Sequence, residues 1–251
     1  MRIFNSSNPT LNEKTFQNTI VLDGEETMTI MGAMRKFGFM LIMLLGAASF
    51  SWGLYYKNYD VMPIAMGAAI AGLIVALVII FKKTWAPYLA LLYALLQGLF
   101  LGAISAVMED AFATQYPGIV MQAVMLTFGV AASMFALYYF RIIQATNTFK
   151  KVVMGATMGI ALFYVVAMVM NMFGTQMPYL HSNGTIGIGI SLFVVTIAAL
   201  NLIIDFDMIE GGAAQGAPKY FEWYAAFGLM VTIIWLYLEM LRLLSKLASR
   251  K

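Results

Sequence analysis

The sequence predicts an all-α polytopic membrane bundle of about seven transmembrane helices, and three observations predict it. Hydrophobic residues make up 62% of the 251 and charged residues only 11%, where a soluble domain typically holds about 45–50% and about 25%. Too little charge is left to cover a water-exposed surface. Apolar runs of roughly 20 residues, the length that spans a bilayer core, recur from Phe37 onward. Their apolarity is continuous, which separates them from the one-sided helices of a soluble core. One compact helical domain over residues 34–251, after a polar segment at 1–33, accommodates the whole length, because lipid replaces much of a buried core.

The first span runs from Phe37 to Leu54 and is closed by Tyr55, Tyr56 and Lys57. The second runs from Val61 to Phe81 and stops at Lys82 and Lys83. The third, Trp85 to Met108, carries no charge and ends at Glu109 and Asp110. The fourth covers Ile119 to Phe140 and stops at Arg141, and the fifth covers Val152 to Phe173. The sixth is expected from Thr185 to Ile204 and the seventh within Tyr224 to Leu244.

Basic residues in short loops favour the cytoplasm. Arg35, Lys36, Lys82, Lys83, Arg141, Lys150, Lys151 and Lys219 fall on one side, whereas the opposite loops hold Lys57 with Asp60, Glu109, Asp110 and His181. A cytoplasmic N-terminus follows. Arg242, Lys246, Arg250 and Lys251 then face outward, against the rule. Either the last helix stops short of crossing, or these charges do not set the topology. The polar leader, Met1 to Met28, lacks the basic-then-apolar order of a signal peptide, so the first span is expected to serve as the insertion signal.

Cysteine is absent, which excludes disulfides, thiolate metal sites and cysteine nucleophiles. The formal charge of +3 is small and sits at the ends of apolar runs, as membrane flanks require, so no nucleic-acid face is expected. The 21 methionines read as apolar filling. Glycines recur at four-residue spacing, Gly98 with Gly102 and Gly155 with Gly159. Such pairs let helix backbones approach closely in lipid. Packing inside the bundle is the expected role of both, ahead of a dimerisation face.

An ionisable side chain in the bilayer costs at least a few kcal/mol, so one kept there is a functional candidate. The second through fifth spans hold none in their interiors, only amides such as Gln97 and Asn171. The acids gather late: Asp205, Asp207 and Glu210 close the sixth span, and Glu239 sits within the seventh. Asn201 and Asp205 are four apart and share a helix face, from which Asp207 points away. Asp207 and Glu210 read best as a solvated helix end, and Glu239 has a simple partner in Arg242 three residues on. Against that stands a working pair of Asp205 and Glu239. Two carboxylates close together in low dielectric cannot both ionise cheaply and titrate as a unit. Ionised, the same oxygens suit a hard cation such as calcium, as a transient site.

At these residues the chain resembles the Bax inhibitor family of membrane proteins, also called the transmembrane Bax inhibitor motif family. Three stretches carry the likeness: Tyr93 to Gly102 (YALLQGLFLG), Asp205 to Glu210 (DFDMIE) and Trp235 to Leu244 (WLYLEMLRLL). The leader Ser6 to Phe16 (SSNPTLNEKTF) resembles a bacterial branch, which implies a bacterial inner membrane. The resemblance implies a seven-helix bundle with the last helix central, and a pH-sensitive calcium leak gated by two acids on the last two helices. By motif position these are Asp205 and Glu239, where the family more often has a second Asp. It also implies a basic latch near the inner end of the second helix, for which Lys82 and Lys83 are the nearest matches. Asp205 and Glu239 lie 34 residues apart (239 − 205), about ten more than the resemblance leads one to expect. If the seventh helix begins at Tyr224, Glu239 lies ~22 Å along it and misses Asp205. If Pro218 to Gly228 instead lies along the interface, the two meet, and Glu222 becomes a competing partner.

Two functions are therefore expected. The first is a passive, proton-modulated calcium leak channel with no resident cofactor, calcium and protons being its ions. The alternative, also implied by the resemblance, is an interaction protein that modulates a membrane-bound ATP-dependent protease, with the polar leader as the handle. An enzyme is not expected: His181 is alone, and neither phosphate-cradling loops nor catalytic serine motifs occur.

Overall fold

Charged residues at the ends of apolar runs do not stop a helix when partners await them, and this lengthens most of the expected spans. The computed structural model describes residues 26–174 and 184–250. Seven helices are long and apolar enough to cross a membrane: α1 (Ile30–Tyr56), α2 (Met62–Phe81), α3 (Ala86–Ala111), α4 (Ile119–Tyr139), α5 (Asn147–Met172), α6 (Thr185–Ala214) and α7 (Phe221–Ala248). No strand occurs among the described residues. His181 and the leader through Glu25 lie outside them.

Local chemistry sets the ends. Thr29 caps α1, its hydroxyl accepting from the Gly32 N–H, and so fixes the start inside the segment expected to be polar. Pro63 and Pro87 stand in the first turns of α2 and α3, where a missing N–H costs nothing. Thr146 caps α5 by accepting from the Phe149 N–H. Gly118, with φ of 78°, turns the chain into α4 in a conformation that glycine adopts freely.

Two boundaries differ from expectation in ways that matter. The sixth span does not end at Ile204: α6 continues to Ala214, so Asp205 lies nine residues, about 13 Å, before its end (214 − 205). The seventh starts at Phe221, which places Glu222 in its first turn rather than along the interface. At 28 residues α7 is about 42 Å long, more than a hydrocarbon core of about 30 Å.

The last helix is central. In α7, 61% of the most apolar stretch is buried within the protein, against 17% for α1 and for α5. It packs on α1, α3, α4 and α6. One apolar cluster joins it to α1 through α4 around Met40, Tyr93, Phe227 and Met230, and a second joins it to α6 around Leu202, Leu229 and Leu236. By contrast α5 is marginal, packing chiefly on α6 through the small cluster of Ile160, Val194 and Ile197.

The glycine pairs separate in fate. A Cβ on Gly98 would collide with the Leu44 carbonyl, and one on Gly102 with the Ala48 carbonyl, so α1 and α3 meet backbone to backbone. Gly155 and Gly159 face open space and do not pack inside the bundle, contrary to expectation. Beyond the helices, the Met28 N–H donates to the Ala217 carbonyl at 2.7 Å and Thr27 pairs with Pro218. The root of the leader is thereby tied to the α6–α7 connection.

Candidate functional site

The acids of the last two helices occupy separate environments. Glu222 is fully buried. Its Oε1 accepts from the Thr29 N–H at 2.9 Å and the Thr29 hydroxyl at 3.0 Å, and Lys219 Nζ lies 3.4 Å away. Its Oε2 pairs with Lys36 of α1, whose ammonium also stands 5.5 Å over the Trp223 ring. A cap residue, two ammonium groups and one carboxylate thus bind α1, the leader root and α7 at one point. Lys219, between the helices, hydrogen-bonds Glu26 as well, and that carboxylate, with Glu222 behind it, pushes the lysine up from its ordinary value.

Asp205 sits deeper. Its carboxyl lies against α7 where Gly228 leaves room: a Cβ there would stand 3.8 Å from Asp205 Oδ1. Its Oδ2 is buried and has no hydrogen-bond partner among the described residues. Most buried polar atoms are partnered, so an exception invites an explanation.

Glu239 is buried, and it is satisfied. Arg242 donates to Oε1 at 2.8 Å and to Oε2 at 3.0 Å, and the Tyr164 hydroxyl of α5 donates to Oε1 at 2.9 Å. The local partner three residues on is the one it takes. Asp205 and Glu239 are not brought together. Gly228, beside Asp205, precedes Glu239 by 11 residues (239 − 228), about 16 Å of helix. The expected pair, and with it one calcium ion shared between these acids, is corrected: α7 starts too early for Glu239 to reach Asp205. Nor does Glu222 partner Asp205, because Thr29 and the two lysines hold it.

Lys82 and Lys83, the expected latch residues, pair with no acid among the described residues. Lys82 Nζ stands 4.7 Å over the Trp85 ring, and Lys83 Nζ stands 5.2 Å over Tyr224 and 5.9 Å over Phe221. Both lysines cover aromatic faces, which attract cations. The lysine that reaches an acid of α7 from another membrane helix is Lys36, which sequence reasoning took only as a topology signal.

Asp207 and Glu210 are not simply solvated. Asp207 pairs with Lys150 of α5, and Glu210 pairs with Arg141 and accepts from the Tyr138 hydroxyl. Asn201 turns to α5, donating to the Thr157 hydroxyl at 2.8 Å, while Asp205 turns to α7. Lys150, Thr157 and Tyr164 were missed, although their seven-residue spacing marks one face of α5. The basic tail also finds partners. Lys246, buried, donates to the Gly187 carbonyl at 3.0 Å and to Ser191 at 2.9 Å, at the start of α6. The end of α7 therefore reaches the side opposite its start; Lys246 is held inside the bundle, and Arg242, partly exposed, is tied to Glu239 and Tyr164 rather than free in a loop.

Among the described residues, no three acids or histidines gather to hold a metal ion. A family model described as Bax inhibitor 1 like matches residues 8–249. A comparison with curated proteins returned no match.

Proposed function

We propose that the chain, which belongs to the Bax inhibitor 1 like family, is a proton-modulated calcium leak in which Asp205 is the group that titrates. The supporting observation is the buried, unpartnered Oδ2 of Asp205 at the α6–α7 contact. An isolated carboxylate away from water is costly. A proton relieves that cost by removing the charge. A hard cation relieves it too, since carboxylate oxygens are what calcium prefers. A third relief is water, which reaches Oδ2 when α6 and α7 separate at Gly228. One residue thus links proton occupancy to the opening of a path and to the attraction of a cation. Glu239, neutralised by Arg242, and Glu222, neutralised by Lys36, hold the two ends of α7 while this happens. The side on which α1 begins is assigned to the cytoplasm of a bacterial inner membrane, since the basic loops gather there.

Calcium flux into liposomes containing purified protein tests this across a pH series. Wild type is expected to leak more as pH rises and Asp205 ionises. Asp205→Asn, a neutral mimic of the protonated acid, is expected to stay at the low rate throughout. Identical rates and pH profiles for the two proteins would overturn the reading.

A second reading, modulation of a membrane-bound ATP-dependent protease, has one point in favour. Met28 and Thr27 couple the leader root to Ala217 and Pro218, so a machine that grips the leader pulls on the α6–α7 connection. Removing residues 1–25 should then abolish co-purification with such a protease while leaving flux intact, and unchanged binding would reject it.

A further inference from the structure

Three polar contacts lie along α5 at seven-residue intervals. Lys150 meets Asp207 of α6 in the first turn, Thr157 meets Asn201 of α6 in the middle, and Tyr164 meets Glu239 and Arg242 of α7 beyond it. Seven residues are two turns, about 10 Å, so the three rungs cover about 21 Å of a core about 30 Å thick. Lys246 with Ser191 continues the series to the opposite end. We infer that the α5–α6–α7 seam is a water-accessible polar track across the membrane, the route taken by hydrated ions past the bundle.

The seam reaches the protein surface at Lys150 and Asp207 and again at Arg242. The side chains of Lys150 and Asp207 are 32% and 31% exposed, and that of Arg242 is 41% exposed. The seam is also thinly sealed. Among its described residues α5 buries only Val153, Ile160 and Ala167, again seven apart, in a stripe beside the polar one. An element with few buried apolar contacts opens at low free-energy cost. The remaining α5 surface faces outward, with Met158, Leu162 and Val166 exposed where lipid covers them. The contact between α3 and α7 is different in kind: there the polar contact is the single buried Ser105–Tyr237 pair, 2.6 Å long, within apolar packing. Polar side chains that only glue helices together need no continuity from end to end. These rungs recur across most of the core, with partly exposed side chains at Lys150, Asp207 and Arg242 and a weak apolar seal.

The inference rests on the leak reading for its use, but its test does not. Because the chain has no cysteine, single-cysteine variants report one position each. Thr157→Cys and Asn201→Cys, in liposomes, are treated with a permanently charged thiol reagent, with Ser105→Cys as the interior control. Thr157→Cys is close to isosteric and carries the test alone if Asn201→Cys fails to elute as a folded protein. The seam cysteines are expected to react at least about tenfold faster than the control, a difference of about 1.4 kcal/mol in the free energy of access. Reaction as slow as at Ser105→Cys would overturn the track and leave polar glue. Labelling without any effect of Asp205→Asn on flux would sink the titrating role of Asp205 and keep the track. A pH-dependent flux lost in Asp205→Asn with an unreactive seam would do the reverse.

Discussion

At Gly98 and Gly102 the absent side chain is what lets α1 and α3 touch through their backbones. Gly102→Leu should therefore force the helices apart and destabilise the protein by about 1–3 kcal/mol, as overpacking does. Gly155→Leu, into open space, should change stability by less than about 0.5 kcal/mol. Thermal melts of both in detergent decide it; equal losses would contradict this account of the pairs. The two pairs have the same spacing, so sequence alone could not separate them: the difference lies in which helix stands opposite. Residue contacts were legible only when local. Glu239 with Arg242 follows from three positions of separation on one helix. Lys36 with Glu222 spans 186 positions and depends on how α1 and α7 dock, which no local spacing encodes.

Among the elements, the number, order and approximate place of the helices followed from apolar run length, because a bilayer fixes that length. Their ends did not. Charges at 205, 207 and 210 read as the close of a span in the sequence, but α6 passes through them because Lys150, Arg141 and Tyr138 stand ready for two and α7 covers the third. The same logic starts α7 early, at the fully buried Glu222, whose charge is matched by Lys36 and Lys219. Removing one partner of a buried ion pair leaves a charge uncompensated. Lys36→Met should accordingly destabilise the protein by about 3 kcal/mol, loosening α1 and the leader root from α7. A melt unchanged from wild type would show that this contact does not fasten the two helices.

For the whole molecule, a central α7 separates the acids of the last two helices: Asp207, Glu210, Glu222 and Glu239 pair with cations, while Asp205 pairs with none among the described residues. Glu222 near its start and Glu239 towards its end each face cations, while Asp205 faces a glycine between them. Composition pointed to the late acids as the chemistry of the chain; among them Asp205 has a buried oxygen without a partner among the described residues, and it does not meet Glu239. The missing knowledge was the register of α6 on α7, a property of the packed bundle rather than of either segment. The account stands on Asp205 exchanging a proton within the membrane. Infrared difference spectra of the reconstituted protein, recorded as pH is lowered, read that exchange directly from the carbonyl band of a protonated carboxyl. A band that grows in wild type and Glu239→Gln but is missing from Asp205→Asn is the predicted result. The same band persisting in Asp205→Asn, or none in wild type, would contradict it.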